Sequence, residues 1–180
     1  MKEHHYIKLL KHLKVDPKKI PICVETGTHR GWGTKVWASF FNKVFTIELS
    51  EELFKFCLNT YDLANVKFLQ GSSCEVLQNI INDTTDPYFL FLDAHGSGGD
   101  TTYDKSVGRY GSPVIQEIEA VEKNLPQFIV VDDLSDFLEI SSYPNPEKIK
   151  EAVLKIGNYS SFTYERDDFT KGILVFELQE

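Results

Sequence analysis

Short apolar runs alternate along the chain with longer segments in which apolar residues recur every three or four positions. The short runs are typical of buried strands, and the longer segments of amphipathic helices. Strands are predicted over 20–24, 43–48, 66–69, 88–92 and 128–131, and helices over 4–14, 34–41, 51–63, 73–81, 113–124 and 146–156. Two further strands, at 161–165 and 172–178, follow each other closely and predict an antiparallel hairpin.

The order of these elements predicts the fold class. Five strand–helix units followed by a hairpin indicate an α/β protein with a doubly wound, mostly parallel, Rossmann-like seven-stranded sheet and a C-terminal antiparallel hairpin. The runs YFLFL at 88–92 and FIVV at 128–131 are apolar at every position, as parallel strands covered on both faces require. Tyr6, Ile7, Leu10 and Leu13 are predicted to form the apolar face of the first helix. Polar loops are predicted at 93–112 and 136–145.

Length and composition narrow the class of protein. The 180 residues predict a single domain, 1–180, with an N-terminal helical segment at 1–19. A net charge of −8 disfavours a general binder of nucleic acids or anionic membranes. Three scattered cysteines, an N-terminus without a signal-peptide pattern and the lack of a long apolar run predict a cytoplasmic protein without disulfides. The oligomeric state stays open, with a homodimer as one option.

Ligands of such sheets bind beyond the carboxyl ends of the strands, so the residues there are the candidate site. The first strand is followed by a glycine-rich turn, 25–34, that is neither a P-loop nor a GxGxxG motif. Glu48 follows the second strand, about 20 residues after Gly27, where a carboxylate commonly holds a ribose diol. The alternative for Glu48 is a solvated strand end. After the third strand, Gly71, Ser72 and Ser73 could line an adenine pocket or simply cap a helix.

Three carboxylates follow the fourth and fifth strands. Asp93 ends the fourth strand, and Asp132 and Asp133 end the fifth. If these strands are neighbours, the like charges crowd together and favour a divalent cation such as Mg²⁺. The alternative is that one of the aspartates caps a helix. His95 lies two residues past Asp93, where an imidazole could act as a general base toward a hydroxyl.

The segment ETGTHRG at 25–31 resembles motif I of class I S-adenosylmethionine (SAM)-dependent methyltransferases. It is most similar to the ETG-x-x-RG variant of the macrocin-type, metal-dependent sugar O-methyltransferases, which also carry aspartates after strands four and five. The segment 91–101 also resembles glycan-modifying methyltransferase domains, including the rhamnose-methylating domain of chlorovirus glycan-building proteins. The resemblance spans roughly residues 20–135.

This resemblance implies O-methylation of a sugar or glycan hydroxyl with SAM and a divalent metal, Mg²⁺ or Mn²⁺. It implies Asp93, Asp132 and Asp133 as metal ligands, and His95 and Asp93 as catalytic residues. The cofactor-binding residues that it implies are Glu25, Thr26, Gly27, Thr28, Gly31, Thr34, Glu48, Leu49, Ser50, Gly71, Ser72, Ser73 and Asp93. In the loops, Tyr103, Lys105, Arg109, Tyr110 and Tyr143 could bind the acceptor, and the alternative is that they are simply exposed loop residues.

Other functions stay open at this point. A Rossmann-like nucleotide or NAD enzyme would use Glu48 equally well, and a methyltransferase of the catechol type would act on a small molecule. A non-catalytic binding module is disfavoured by the charge cluster, and a nucleic-acid methyltransferase is disfavoured by the acidic composition. Binding of S-adenosylhomocysteine (SAH) compared with NAD distinguishes the first of these from a methyltransferase.

Overall fold

The structure, a computed structural model, describes residues 3–96, 111–165 and 172–180. The strands in these ranges are β1 (Ile22–Thr26), β2 (Lys43–Glu48), β3 (Val66–Gln70), β4 (Tyr88–Leu92), β5 (Phe128–Val131), β6 (Tyr159–Tyr164) and β7 (Ile173–Leu178). The helices are α1 (Glu3–His12), α2 (Trp32–Phe40), α3 (Glu51–Thr60), α4 (Ser73–Asn82), α5 (Val114–Ala120), α6 (Leu134–Glu139) and α7 (Pro146–Ile156).

The strands form one seven-stranded sheet in the order β3-β2-β1-β4-β5-β7-β6. β1 to β5 are parallel, whereas β7 pairs antiparallel with both β5 and β6. The predicted fold class is therefore confirmed, including the C-terminal hairpin. Its second strand lies inside the sheet, between β5 and the edge strand β6.

Helices cover both faces of the sheet, and β4 shows why its sequence is apolar throughout. Phe89 and Phe91 pack into the core on the side of α1 and α2. Tyr88, Leu90 and Leu92 pack into the opposite core with α4, α5 and α7. Every side chain of β4 is thus buried, as expected for a central strand covered by helices on both faces.

Three local predictions differ from the structure. In α1, Tyr6 and Leu10 are buried as predicted, but Leu9 is buried in place of Ile7, which is 39% exposed. The buried face is therefore rotated slightly from the predicted one. Residues 134–139, mostly predicted as loop, form α6, whose six residues are too few for a helical period to be recognised. β6 begins at Tyr159, before its predicted start at 161. Tyr159 pairs with Leu178 of β7, and its ring is buried in the core.

The topology brings the carboxyl ends of β1, β2, β4 and β5 to one edge of the sheet. The strand order reverses between β1 and β4, which is where ligands bind in doubly wound sheets. Within the described part of the chain, the helices lack the length and apolar character needed to cross a bilayer.

Candidate active site

The glycine turn after β1 folds back onto its neighbouring strands. The main-chain N–H groups of Gly27 and Thr28 both donate to the carbonyl oxygen of Ile47, at 2.9 and 3.1 Å. Gly27 has φ +85° and Gly31 has φ +74°, a region that glycine adopts without steric cost. A Cβ added to Gly27 would lie 2.3 Å from the carbonyl oxygen of Asp93. Gly27 therefore lets the turn contact the end of β4 directly.

Glu25 is 3% exposed and joins β1, β2 and α2 from inside the fold. Its Oε2 accepts hydrogen bonds from the hydroxyls of Thr34 and Thr46, and its Oε1 accepts one from Trp37 Nε1 at 2.9 Å. The hydroxyls of Thr28 and Thr46 are 2.6 Å apart, which extends the network to the turn. Burial raises the pKa of Glu25 to about 7, although the three hydrogen bonds oppose that rise. The side chains of Glu25 and Thr34 therefore stabilise the glycine turn from inside the fold. A contact of either residue with a cofactor stays a prediction.

Glu48 lies at the end of β2 and is 7% exposed, so it is not a solvated strand end. Its Oε2 accepts a hydrogen bond from the N–H of His29 at 2.7 Å, and its Oε1 accepts one from the N–H of Ser50 at 2.8 Å. Burial raises the pKa of Glu48, while these two N–H groups lower it. The carboxylate is thus held in a fixed orientation beside the glycine turn.

The third part of the predicted cofactor pocket lies between β2 and β3. The amide of Gln70 donates to the carbonyl oxygen of Leu49 at 3.0 Å and joins the ends of these strands. Gly71 follows with φ +143°, Ser72 is the N-cap residue of α4, and Ser73 is buried in its first turn. Gln70 pairs with Glu48, and the N–H of Gly71 donates to the Glu48 carbonyl oxygen at 2.9 Å. A contact of Gly71, Ser72 or Ser73 with an adenine ring stays a prediction.

The three predicted carboxylates converge at the ends of β4 and β5. The N–H of Asp93 donates to the Thr26 carbonyl oxygen, and the N–H of Asp132 donates to the Leu92 carbonyl oxygen, each at 3.1 Å. Asp133, with φ +53°, donates its N–H to Asp132 Oδ1 at 2.7 Å. Partial burial and the charge of Asp132 raise the pKa of Asp93 well above its usual value. β4 and β5 are neighbours in the sheet, which was the condition for these charges to crowd together.

His95 lies within this group of acids, and its side chain is 3% exposed. Its Nδ1 is 3.7 Å from Asp93 Oδ1, and its Nε2 is 3.7 Å from Asp133 Oδ2 and 3.6 Å from Asp136 Oδ2. Burial lowers the pKa of His95, but the carboxylates of Asp133, Asp136 and Asp93 outweigh this and raise it to about 10. With no cation bound, these carboxylates therefore favour the protonated ring.

The donor set can be tested against a divalent cation. Asp93, His95 and Asp133 each offer one ligand atom, and these three atoms all lie within 4.8 Å of one another. That spacing fits one cation bound by two carboxylates and an imidazole. Asp132, the third predicted ligand, is 1% exposed, and its Oδ1 accepts the N–H of Asp133.

Two aromatic side chains enclose His95. Its ring centroid is 5.5 Å from that of Phe137 and 5.9 Å from that of Tyr143, both with edge-to-face geometry. Tyr143 is 6% exposed, and its hydroxyl donates to the carbonyl oxygen of Gly96 at 2.8 Å. Because it is buried and its hydroxyl is bonded to Gly96, Tyr143 does not present an exposed loop ring for acceptor binding. Tyr103, Lys105, Arg109 and Tyr110 lie outside the described residues.

Two residues of the site were missed from the sequence. Asp136 lies within the region predicted as loop, and its spacing of three residues from Asp133 was the available signal that both face one side of a helix. Tyr6 of α1 is buried beside the turn, and a Cβ on Gly33 would lie 3.0 Å from its hydroxyl. Burial, and then the charges of Asp93 and Asp132, raise the pKa of Tyr6 well above its usual value.

Comparisons with known proteins give the fold. No family model and no curated protein matches the sequence. The O-methyltransferase TomG of Streptomyces achromogenes, solved with SAM, has a TM-score of 0.62 at 14% identity, over 99% of this chain and 79% of that chain. A proposed caffeoyl-CoA O-methyltransferase of Staphylococcus aureus has a TM-score of 0.62 at 18% identity, over 96% and 82%. The precorrin-6y C5,15-methyltransferase of Geobacter metallireducens has a TM-score of 0.60 at 14% identity, over 97% and 88%.

The chain thus has the same Rossmann-like fold as these methyltransferases. The names of these similar structures cover different acceptors, a caffeoyl thioester and a precorrin among them. Because one fold carries many chemistries, the acceptor has to be argued from the site of this chain.

Proposed function

We propose that the protein is a SAM-dependent O-methyltransferase that acts on a hydroxyl of a sugar or glycan with the help of a divalent cation. The observation that carries the proposal is the contact between the glycine turn and the acid cluster, where a Cβ on Gly27 would lie 2.3 Å from the Asp93 carbonyl oxygen. A cofactor bound over the turn would therefore lie next to an acceptor bound at the cluster. The sugar acceptor is supported by the resemblance at 25–31 and at the three aspartates.

Glu48 would hold the ribose of SAM. Each of its oxygens accepts one backbone N–H. Since an ionised carboxylate has about four acceptor positions, both oxygens retain capacity for the ribose hydroxyls. The turn at Gly27 and Thr28 would approach the methionine part, because a backbone without a side chain permits close contact.

The reaction would be an in-line displacement. The acceptor oxygen would form the new O–C bond as the S–C bond of SAM breaks, and SAH would keep the electron pair of the broken bond. The hydroxyl proton would pass to solvent water, or to His95 if that ring acts as the base. Because the reacting atoms have to be collinear and about 3 Å apart, the main contribution of the protein would be positioning.

Asp93, His95 and Asp133 would hold the divalent cation, with Asp132 fixing Asp133 through its N–H. A cation bound there would lower the pKa of the acceptor hydroxyl and orient two neighbouring oxygens of the acceptor. A general-base role for His95 is the alternative assignment for that residue. Both roles require a neutral ring, and a cation bound between the carboxylates beside His95 would favour loss of the ring proton.

The proposal is tested first by calorimetry of the protein with SAH and, separately, with NAD⁺. We expect SAH to bind and NAD⁺ not to bind; the reverse result would make the protein a nucleotide or NAD enzyme. Release of SAH from SAM is then measured with Mn²⁺ in the presence of rhamnose-containing oligosaccharides or of catechol. Turnover with catechol alone would replace the sugar acceptor by a small aromatic diol.

A further inference from the structure

A hydrogen bond from Tyr143 holds the backbone next to His95. This tyrosine lies between α6 and α7, and its hydroxyl donates to the carbonyl oxygen of Gly96 at 2.8 Å. Gly96 directly follows His95, so the hydrogen bond fixes the backbone one residue beyond the imidazole. With 6% of its surface exposed, Tyr143 is itself held firmly by the surrounding core.

The same tyrosine limits the movement of the imidazole ring. Its ring meets the His95 ring edge to face at a centroid distance of 5.9 Å and an interplanar angle of 75°. Phe137 supports both rings, with centroids 5.3 Å from Tyr143 and 5.5 Å from His95. The two edge-to-face contacts of His95 favour one orientation of its ring.

The position of His95 matters because its ring nitrogens lie 3.6–3.7 Å from the carboxylates of Asp93, Asp133 and Asp136. A shift of about 1 Å would move the imidazole out of reach of a cation bound by the carboxylates. We propose that Tyr143 is a positioning residue that sets the imidazole of His95 in the cation-binding geometry. This inference rests on the proposed function, since it concerns the cation site of that reaction.

The test compares Tyr143→Phe with Tyr159→Phe, which is a matched control. The Tyr159 hydroxyl also donates to a backbone carbonyl, that of Pro126, at 2.8 Å, and Tyr159 is 5% exposed. Each variant therefore loses one buried phenol hydrogen bond to the main chain, but only Tyr143 contacts the His95 loop. Thermal unfolding is measured first, to compare the stability of the two variants.

Two readouts follow. The Mn²⁺ affinity is measured by electron paramagnetic resonance without cofactor or acceptor, and the ring signals of His95 are followed by ¹H–¹⁵N NMR without metal. We expect Tyr143→Phe to lower Mn²⁺ affinity about 10-fold and to shift the His95 ring signals, as groups that orient metal ligands do. Tyr159→Phe is expected to change neither.

The other outcomes separate this inference from the proposed function. Equal Mn²⁺ affinity and unchanged His95 signals in Tyr143→Phe would overturn the positioning role. Equal effects in both variants, or loss of the fold in Tyr143→Phe alone, would assign Tyr143 to stability and also overturn it. If the unmodified protein binds no Mn²⁺, the cation site of the proposed function fails, and the NMR comparison alone then decides the role of Tyr143.

Discussion

The N–H of His29 donates a hydrogen bond to Glu48 Oε2 at 2.7 Å and so connects the glycine turn to the end of β2. The other oxygen of Glu48 accepts the N–H of Ser50, the N-cap residue of α3. One buried carboxylate thereby sets the relative position of the turn and of the start of a helix. We expect this carboxylate to serve both the local fold and the ribose of the cofactor.

Replacing Glu48 by Gln should weaken SAH binding. The amide oxygen can accept only one of the two backbone N–H groups, and the amide nitrogen then faces a donor. A hydrogen bond to a charged group contributes about 1.5–3 kcal/mol, so the loss should be about 10-fold to 100-fold in SAH affinity by calorimetry. Glu52→Gln, at an exposed position of α3, is the control and should bind SAH normally. SAH affinity that is equal in both variants would exclude Glu48 from the cofactor site.

Gly27→Ala should damage the contact between the turn and β4. The new Cβ would lie 2.3 Å from the Asp93 carbonyl oxygen, at a φ of +85° that alanine adopts poorly. Backbone strain and overlap together should lower the free energy of unfolding by about 2–4 kcal/mol. SAH affinity should fall as well, because the turn moves.

Gly172→Ala is the control for that variant. Its Cβ would meet Leu134 and Thr163 at 3.4 Å, within ordinary contact, and its φ is outside the left-handed region. The free energy of unfolding, measured by urea denaturation, should be unchanged or higher by up to about 1 kcal/mol. If Gly27→Ala is as stable as Gly172→Ala, the turn does not need glycine at that position.

The sequence was sufficient to predict the strands of the sheet and the proximity of Asp93 and Asp132. Apolar runs of the β4 and β5 type predict parallel strands covered on both faces, and the condition that these two strands are neighbours is met, since Leu92 pairs with Val131. Asp93 and Asp132 directly follow this pair, so their proximity follows from strand register alone. The strands could be predicted because their apolar pattern is local. The proximity of the aspartates could be predicted because parallel neighbours end at the same edge of the sheet.

The detailed site could not be predicted in the same way. Whether a polar loop residue turns inward depends on the packing of distant segments, so Tyr143 was assigned to the acceptor but is buried against Gly96. The position of His95 between carboxylates depends on Asp136, which lies on a helix too short to show a period. Likewise, the Glu25 network joins residues from three elements, and no local pattern reports such a contact.

The stability of the protein should depend on pH through Glu25. Burial raises its pKa to about 7 from an unfolded value of 4.5, so the folded state holds a proton that the unfolded state has released between these values. The contribution of Glu25 to stability is therefore complete below pH 4.5 and is lost as the pH rises through 7. The difference corresponds to about 3 kcal/mol at most.

Glu25→Gln isolates this effect. Its amide can still accept from Trp37, and the hydroxyls of Thr34 and Thr46 can turn to accept from the amide nitrogen. The free energy of unfolding is measured by urea denaturation at pH 5 and pH 8. The unmodified protein should lose more stability between these values than the variant. Parallel curves for the two proteins would show that Glu25 has an ordinary pKa.

The role of His95 can be decided with variants of the cation site. If His95 is a ligand together with Asp93 and Asp133, then His95→Ala and Asp133→Asn should each lower Mn²⁺ affinity at least 10-fold. If His95 is instead a general base, His95→Ala should leave Mn²⁺ affinity unchanged and lower kcat at saturating Mn²⁺ by about 10²- to 10⁴-fold. Asp62→Asn, in an exposed loop, is the control for the loss of one carboxylate. Mn²⁺ binding that is the same in all three variants and in the unmodified protein would remove the cation from this cluster, and the imidazole would then be the positive charge that balances the carboxylates around it.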